Sequence, residues 1–260
     1  SLDDRWTNDI ARHIFSPLVN RTRDGKIVPD LAKDWHISQE GRQYDFFIRE
    51  DVTFHDGRGL SAEDVVFTFE QVLQSVHAGY LQPPGVTVDV EQLGPFEVRF
   101  RLSHPVPVFL QSLADIGIVP KETELHPDGD KGVLRLSGTG PFRILQHWPD
   151  RILLQRFDLY HGGSPDQQPV GTARINYLEF RLLPQATQRQ SAWMHQEVDI
   201  LHGISAAEAG RLAATEGRIS ILPGTTYYFV ALNDRLPPFD RVEARRRINA
   251  LVDWPDIMNK

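Results

Sequence analysis

Cysteine is absent from the 260 residues. Its absence removes a disulfide framework, a thiolate metal site and a cysteine nucleophile at once. It does not assign a compartment, because a large core needs no disulfide, and a periplasmic location stays open. Long apolar runs are missing as well. No uncharged apolar stretch approaches the roughly 18 residues that a spanning helix needs, so no direct membrane span is expected. Positive charge is in deficit, with 28 Lys and Arg against 35 Asp and Glu and a formal net charge of -7. Nucleic-acid binding needs clustered cations to neutralise phosphates, so no nucleic-acid partner is expected. The chain carries no GxSxG nucleophile elbow, no HExxH metal motif and no dinucleotide fingerprint. Catalytic residues, a metal site and a cofactor are therefore not expected, and the chain reads as a non-enzyme. The first residues, Ser1-Leu2-Asp3-Asp4, have neither the basic nor the apolar region of an export signal, so none is expected within the chain.

What is present is ordinary for a globular protein. Apolar residues make up 40%, aromatics 10% and charged residues 24%. That balance can bury a core, and the length suits one large domain or two of usual size. Tyr44, Phe46 and Ile48 alternate with Asp45, Phe47 and Arg49, which predicts a strand with one buried face. Phe96, Val98, Phe100 and Leu102 alternate with charged residues in the same way. Between them, Ser61 stands before Glu63 and Asp64 as a capping-box start, and Val65, Phe69, Val72 and Val76 recur at helical spacing. A helix is predicted over about 62–76. Pro105 and Pro107 lead into a short helix with Phe109, Leu110 and Leu113, and the polar stretch from Lys121 to Gly132 reads as an exposed connection.

Further on, the segments 142–148 and 151–157 flank Pro149-Asp150 and read as a hairpin. The composition of Ile175–Leu183 predicts a mostly buried strand. A helix is predicted over Thr187–Glu197 and a short buried strand over Val198–Leu201. Ser205 and Glu208 form a second capping box, starting a helix to about Thr215. Ile219–Leu222 and Tyr227–Leu232 read as strands. Ile248, Leu251 and Val252 form an apolar stripe beside Arg241, Arg245, Arg246 and Arg247. Little chain follows to cover that stripe, which reads as a fragment whose next domain lies outside it. Helices and strands interleave throughout, so the class is α/β.

Several of these words stand in one order. Val28-Pro29-Asp30-Leu31-Ala32-Lys33-Asp34-Trp35 is followed by Tyr44–Arg49, by Val52-Thr53-Phe54-His55-Asp56-Gly57 and by Leu60-Ser61-Ala62-Glu63-Asp64-Val65. Later come Gly138-Thr139-Gly140-Pro141-Phe142, Glu197-Val198-Asp199-Ile200, Leu232-Asn233, Pro237-Pro238-Phe239-Asp240 and Arg246-Arg247-Ile248. This series resembles the family 5 extracellular solute-binding proteins, which include the oligopeptide- and dipeptide-binding components of ABC importers. The resemblance spans nearly the whole chain. It implies a periplasmic-binding-protein-like fold of type II, cluster C. In that pattern residues 1–20 and 138–235 would form the first lobe, 21–137 an inserted subdomain, and 236–260 the start of a second lobe that is mostly missing.

The resemblance implies a protein that captures a peptide or another small solute between two lobes. Its further partners would be the permease and ATPase subunits of the transporter, and its location periplasmic or extracellular and membrane-associated. Half of such a clamp is expected to bind no tighter than about micromolar, because closure needs both surfaces. Some bacterial transcription regulators carry a similar domain behind a helix-turn-helix, so a ligand-sensing role is the alternative.

Residues of the cleft follow from the same resemblance. Tyr227, Tyr228 and Asn233 lie on an aromatic strand and its end, which in the family run toward the second lobe near the hinge. A tyrosine offers apolar area and a hydroxyl, but the same strand also reads as core, and alternation sends the two tyrosines to opposite faces. Trp6 and Asn8 follow the first predicted strand, near the family's ligand-contacting loops. The competing reading is a surface tryptophan packed on a neighbouring helix. His202 follows the short strand at Ile200, a favoured ligand position in an α/β sheet or simply a strand end. His55-Asp56-Gly57 reads as a turn ending a strand, Gly138-Thr139-Gly140 as a tight turn without the spacing of a phosphate loop, and Asp128-Gly129-Asp130 as too short for a calcium loop.

Overall fold

The computed structural model describes residues 4–22, 24–121, 136–164, 170–202, 204–212 and 232–252. They form two compact units, divided between Gln185 and Ala186.

The first unit contains a four-stranded antiparallel sheet. Its strands are β3 (Ala32–Ser38), β4 (Gln43–Ile48), β5 (Val88–Gly94) and β6 (Glu97–Leu102), in the order β3-β4-β6-β5. A short ribbon of β1 (Val19–Arg21) and β2 (Ile27–Pro29) precedes it. The alternation read in the sequence is realised. Tyr44, Phe46 and Ile48 of β4 and Val98, Phe100 and Leu102 of β6 are buried, with Tyr44 opposite Phe100 and Phe46 opposite Val98. On that face lies helix α2 (Ala62–Gln74), burying Val65 and Phe69. The short helix α3 (Phe109–Leu113) adds Phe109 and Leu113. Phe100 is the hub, its ring meeting Phe46 at 5.6 Å, Phe69 at 4.8 Å and Phe109 at 5.7 Å in edge-on arrangements. Such geometry adds to the area term because ring edges are positive and faces negative.

The other face of this sheet is a charge ladder. His36, Asp45, Arg99 and Glu91 stand opposite one another across the four strands. Arg99 grips Asp45 through Nε at 2.6 Å and Nη2 at 2.8 Å. Asp45 is thereby covered on the nominally solvent-facing side, and the guanidinium holds its carboxyl below the usual range.

Helix α1 (Asp4–Ile14) and a second antiparallel sheet complete the first unit. The sheet has β7 (Phe142–Trp148), β8 (Arg151–Arg156) and β9 (Tyr177–Arg181) in sequence order. Ile10 and Ile14, four residues apart on one helical face, pack with Phe142 and Leu154. Pro149-Asp150 forms the predicted hairpin turn: Trp148 pairs with Arg151, whose guanidinium lies 4.4 Å from the indole centroid. Two expectations fail here. Trp6 and Asn8 do not follow a strand but lie inside α1, because Ile10 and Ile14 give this segment a helical stripe to bury. The strand expected over Ile175–Leu183 is shorter and only one face is covered. One face of β9 lies on the core, so by alternation Leu178 and Phe180 pack inward while Tyr177 is exposed, and Ile175, before the strand begins, is exposed as well.

The second unit contains α4 (Ala186–Met194), α5 (Ala206–Leu212) and α6 (Val242–Leu251) among the described residues. The capping box of α5 is reciprocal: Ser205 N–H donates to Glu208 Oε2 at 2.7 Å, and Glu208 N–H to Ser205 Oγ at 3.2 Å. Val198–Leu201 is irregular rather than a buried strand, and Ile200 is 79% exposed. An apolar run of four residues becomes a strand only with a ladder partner, and none is formed among the described residues. Helix α6 forms as the stripe predicts, but Leu251 is 84% exposed and Ile248 only half-buried. The strand expected over 219–222, that over 227–232 except its last residue, and the connection 121–132 except its first, with Asp128-Gly129-Asp130, lie outside the described residues.

Candidate functional site

The sequence-derived ligand contacts are distributed over both units. Trp6 and Asn8 belong to α1 of the first. His202 is exposed in an irregular segment of the second unit, so it ends no strand. Asn233 is also exposed there, its Oδ1 accepting the Arg235 N–H at 3.0 Å in a local turn. Tyr227 and Tyr228 lie outside the described residues.

A cluster of polar side chains in the first unit lies where its two apolar cores meet, and much of it was not legible in the sequence. One core runs from Leu18 to Ile118, and the other joins Ile10 and Ile14 to Phe142 and Leu154. The chain crosses between them at Gly138-Thr139-Gly140. Gly140 N–H donates to the carbonyl of Ile14 at 2.8 Å, which satisfies a carbonyl at the C-terminal end of α1. A Cβ on Gly140 would stand 2.6 Å from the His13 carbonyl oxygen, and one on Gly138 would fall on the Ile14 carbonyl, so only glycine fits either place. His55 clasps the same segment from the other side. Its Nδ1 accepts the Gly138 N–H at 3.2 Å, so its Nε2 carries the hydrogen donated to Gly140 O at 3.0 Å. The ring rests edge-on against Phe157 at 4.8 Å. Burial holds this imidazole below its ordinary pKa, outweighing the hydrogen bond to Gly140.

Beside this clasp is a polar group in which Ser16, Asp30, Thr139 and the His161 side chain are buried, Asn20, Arg49 and Tyr160 are partly covered, and Asp51 is exposed. Asn20 Nδ2 donates to Asp30 Oδ2 at 3.1 Å. Asp30 Oδ1 is buried with no hydrogen-bond partner among the described residues, 3.6 Å from His161 Nε2. That nitrogen is 3.3 Å from Ser16 Oγ, and Nδ1 of the same ring accepts the Gly163 N–H at 3.3 Å. Arg49 holds Asp51 with both arms of its guanidinium, at 2.9 and 2.7 Å, and donates to His161 O at 3.2 Å. Burial pushes the Asp30 carboxyl up to about 7, with Asn20 and Arg49 opposing it. Burial, helped by the Arg49 charge, pushes His161 down to about 4. The Tyr160 hydroxyl is raised by burial and by the Asp30 charge.

Among the described residues no group of three or more His, Asp or Glu is placed to hold a metal ion, and no helix is long and apolar enough to cross a membrane.

The relatives of the chain fit this architecture. Residues 26–260 match the model of bacterial extracellular solute-binding proteins, family 5 Middle. The dipeptide-binding protein of Escherichia coli strain K12 is 28% identical over 268 residues, covering 91% of this chain and 49% of that one. The nickel-binding periplasmic protein of the same strain is 29% identical, covering 73% of this chain and 36% of that one. The structure of NikA from Brucella suis in complex with Fe(III)-EDTA superposes with a TM-score of 0.70 at 26% identity, over 82% of this chain and 43% of that one. A complex of MoaA with mannopinic acid gives 0.74 over 97% of this chain and 52% of that one, at 22% identity, a likeness of fold. The chain thus spans about half the length of the dipeptide-binding relative, 49%. With the family's model matched over 26–260, the chain belongs to the bacterial extracellular solute-binding proteins, family 5.

Proposed function

We propose that this chain supplies one lobe, and its inserted subdomain, of a binding protein that captures a peptide or related small solute for an ABC importer. The observation that carries this reading is the family match over residues 26–260 together with the likeness to dipeptide-binding proteins along more than nine-tenths of the chain. The solute is held between lobes, released unchanged to a permease, and the ATPase drives its passage. The site of action is the periplasm or the outer surface of the membrane. Residues 1–20 and 138–235 form the first lobe, 21–137 the inserted subdomain and 236–260 the start of the second lobe. The packing of Ile10 and Ile14 with Phe142 and Leu154 supports joining the first residues to the segment after 138, and the separate core over 18–118, which also takes in Leu18 and Val19, supports a distinct inserted subdomain.

The ligand contacts of this reading are Trp6, Asn8, His202, Tyr227, Tyr228 and Asn233. Strand alternation lets one of the two tyrosines face the solute and sends the other into the core. The test is calorimetric titration of the chain and of Tyr227→Leu and Tyr228→Leu with a set of dipeptides and tripeptides. One substitution raises the Kd about tenfold, near 1.4 kcal/mol, and the other changes stability without changing Kd. Equal affinity in both variants would remove this strand from the site.

A further inference from the structure

We propose that Asp30 and His161 form a buried latch between the two apolar cores of the first unit, in which the Asp30 carboxyl rather than the imidazole carries the pair's proton. In water at mildly acidic pH a histidine holds the proton and an aspartate does not. The geometry reverses that order. Both side chains are sealed from solvent, at 0% exposure for His161 and 3% for Asp30, which penalises a charge on either. His161 Nδ1 already accepts the Gly163 N–H, so protonating that nitrogen would break the bond and set two donors against each other. Asp30 Oδ1, by contrast, is buried and accepts no hydrogen bond among the described residues, so no donor stabilises a negative charge there and the carboxyl is favoured neutral.

The charged and polar groups around the pair pull in both directions, and burial decides the outcome. From the end of β4, Arg49 lies close enough to act on both groups: its positive charge disfavours an imidazolium and also favours an Asp30 carboxylate, which burial outweighs. Asp51 is engaged by that same guanidinium, which offsets its pull on His161. Tyr160, next to His161 in sequence, hydrogen-bonds Ser16 and stays a neutral phenol. From β1, Asn20 supplies a neutral donor to Asp30 Oδ2, which favours the carboxylate without overcoming its burial. The values of about 7 for Asp30 and about 4 for His161 point the same way.

Reversal has a consequence in proton counting. Between about pH 4 and 6.5 the folded pair holds one proton on Asp30, and the unfolded pair holds one on His161. Equal counts give no slope of stability with pH from this pair. Each single variant exposes a slope of opposite sign. In Asp30→Asn the unfolded chain binds one proton more than the folded one, so the folding constant falls about tenfold per pH unit, relative to wild type, as pH drops below 6.5. In His161→Gln the folded chain binds one more, so the constant rises about tenfold per pH unit as pH drops below about 7.

The experiment is urea unfolding of the 260-residue chain, wild type and both variants, from pH 4.5 to 7.5, with nitrogen-15 spectra of the wild-type histidine rings. Opposite slopes, and a His161 ring that stays neutral with hydrogen on Nε2 at pH 5.5, are expected. Slopes parallel to wild type would overturn the latch. A His161 imidazolium at pH 5.5 would also overturn it, and this reading holds even if a variant fails to fold.

Discussion

Replacing Asp64 by alanine removes a carboxylate on which the start of α2 and the end of its neighbouring segment converge. Asp64 is fully buried and accepts Arg58 Nη2 at 2.6 Å and Nη1 at 3.3 Å. It also accepts the Ser61 N–H and hydroxyl, both at 2.9 Å, and the Lys121 N–H at 3.0 Å. The loss of a buried ion-pair partner costs about 3–5 kcal/mol when the remaining charge is sealed in. Arg58 is 31% exposed and can rehydrate, which moves the expectation to the low end, about 3 kcal/mol. The carboxyl sits below its ordinary value: burial raises it, but the Arg58, Lys121 and Ser61 donors together outweigh that. A depressed carboxyl stabilises the fold above its unfolded value of 3.8, and that contribution is lost as pH falls through the lower folded value. Asp64→Ala therefore loses stability at pH 7 and shows a shallower acid limb below about pH 4. Urea unfolding followed by tryptophan fluorescence at pH 7 and at pH 3 reads both effects. A variant within 0.5 kcal/mol of wild type at pH 7 would refute the reasoning.

Other positions give equally direct outcomes. Gly138→Ala drives a methyl group into the Ile14 carbonyl, a backbone atom that cannot swing away, and should cost about 3 kcal/mol in urea unfolding, the upper part of the overpacking range. Phe100→Ala empties the hub of three ring contacts and should cost about 3–5 kcal/mol, with native-like circular dichroism retained at low temperature. His55→Gln should flatten the loss of stability below pH 6.5, because the wild-type ring is held neutral in the fold and must protonate on unfolding. An unchanged pH profile would remove His55 from the clasp.

Local patterns were readable where local physics decides the outcome. The alternation at Tyr44, Phe46 and Ile48, the helix behind Ser61 and the hairpin at Pro149-Asp150 each depend on neighbouring residues. The same rule missed Asp45. Alternation puts it on the solvent side, but Arg99, fifty-four positions away, folds over it. It also missed the edge position of β9, which is a property of the sheet and not of the strand. The seam was the least legible part. His55 reads as a turn residue and His161 carries no signal of its own, and no spacing announces that one will hold Gly138 and the other meet Asp30. Of the residues proposed for the cleft, the sequence placed Trp6 and Asn8 after a strand, whereas the stripe of Ile10 and Ile14 draws that segment into a helix.

Native mass spectrometry of the chain mixed with a dipeptide and tripeptide library tests capture without chemistry most directly. Adducts with the mass of the protein plus one whole peptide, releasing that peptide unaltered on activation, are the expected result. Cleaved or modified peptides accumulating in proportion to the protein, or no adduct at millimolar peptide, would contradict it.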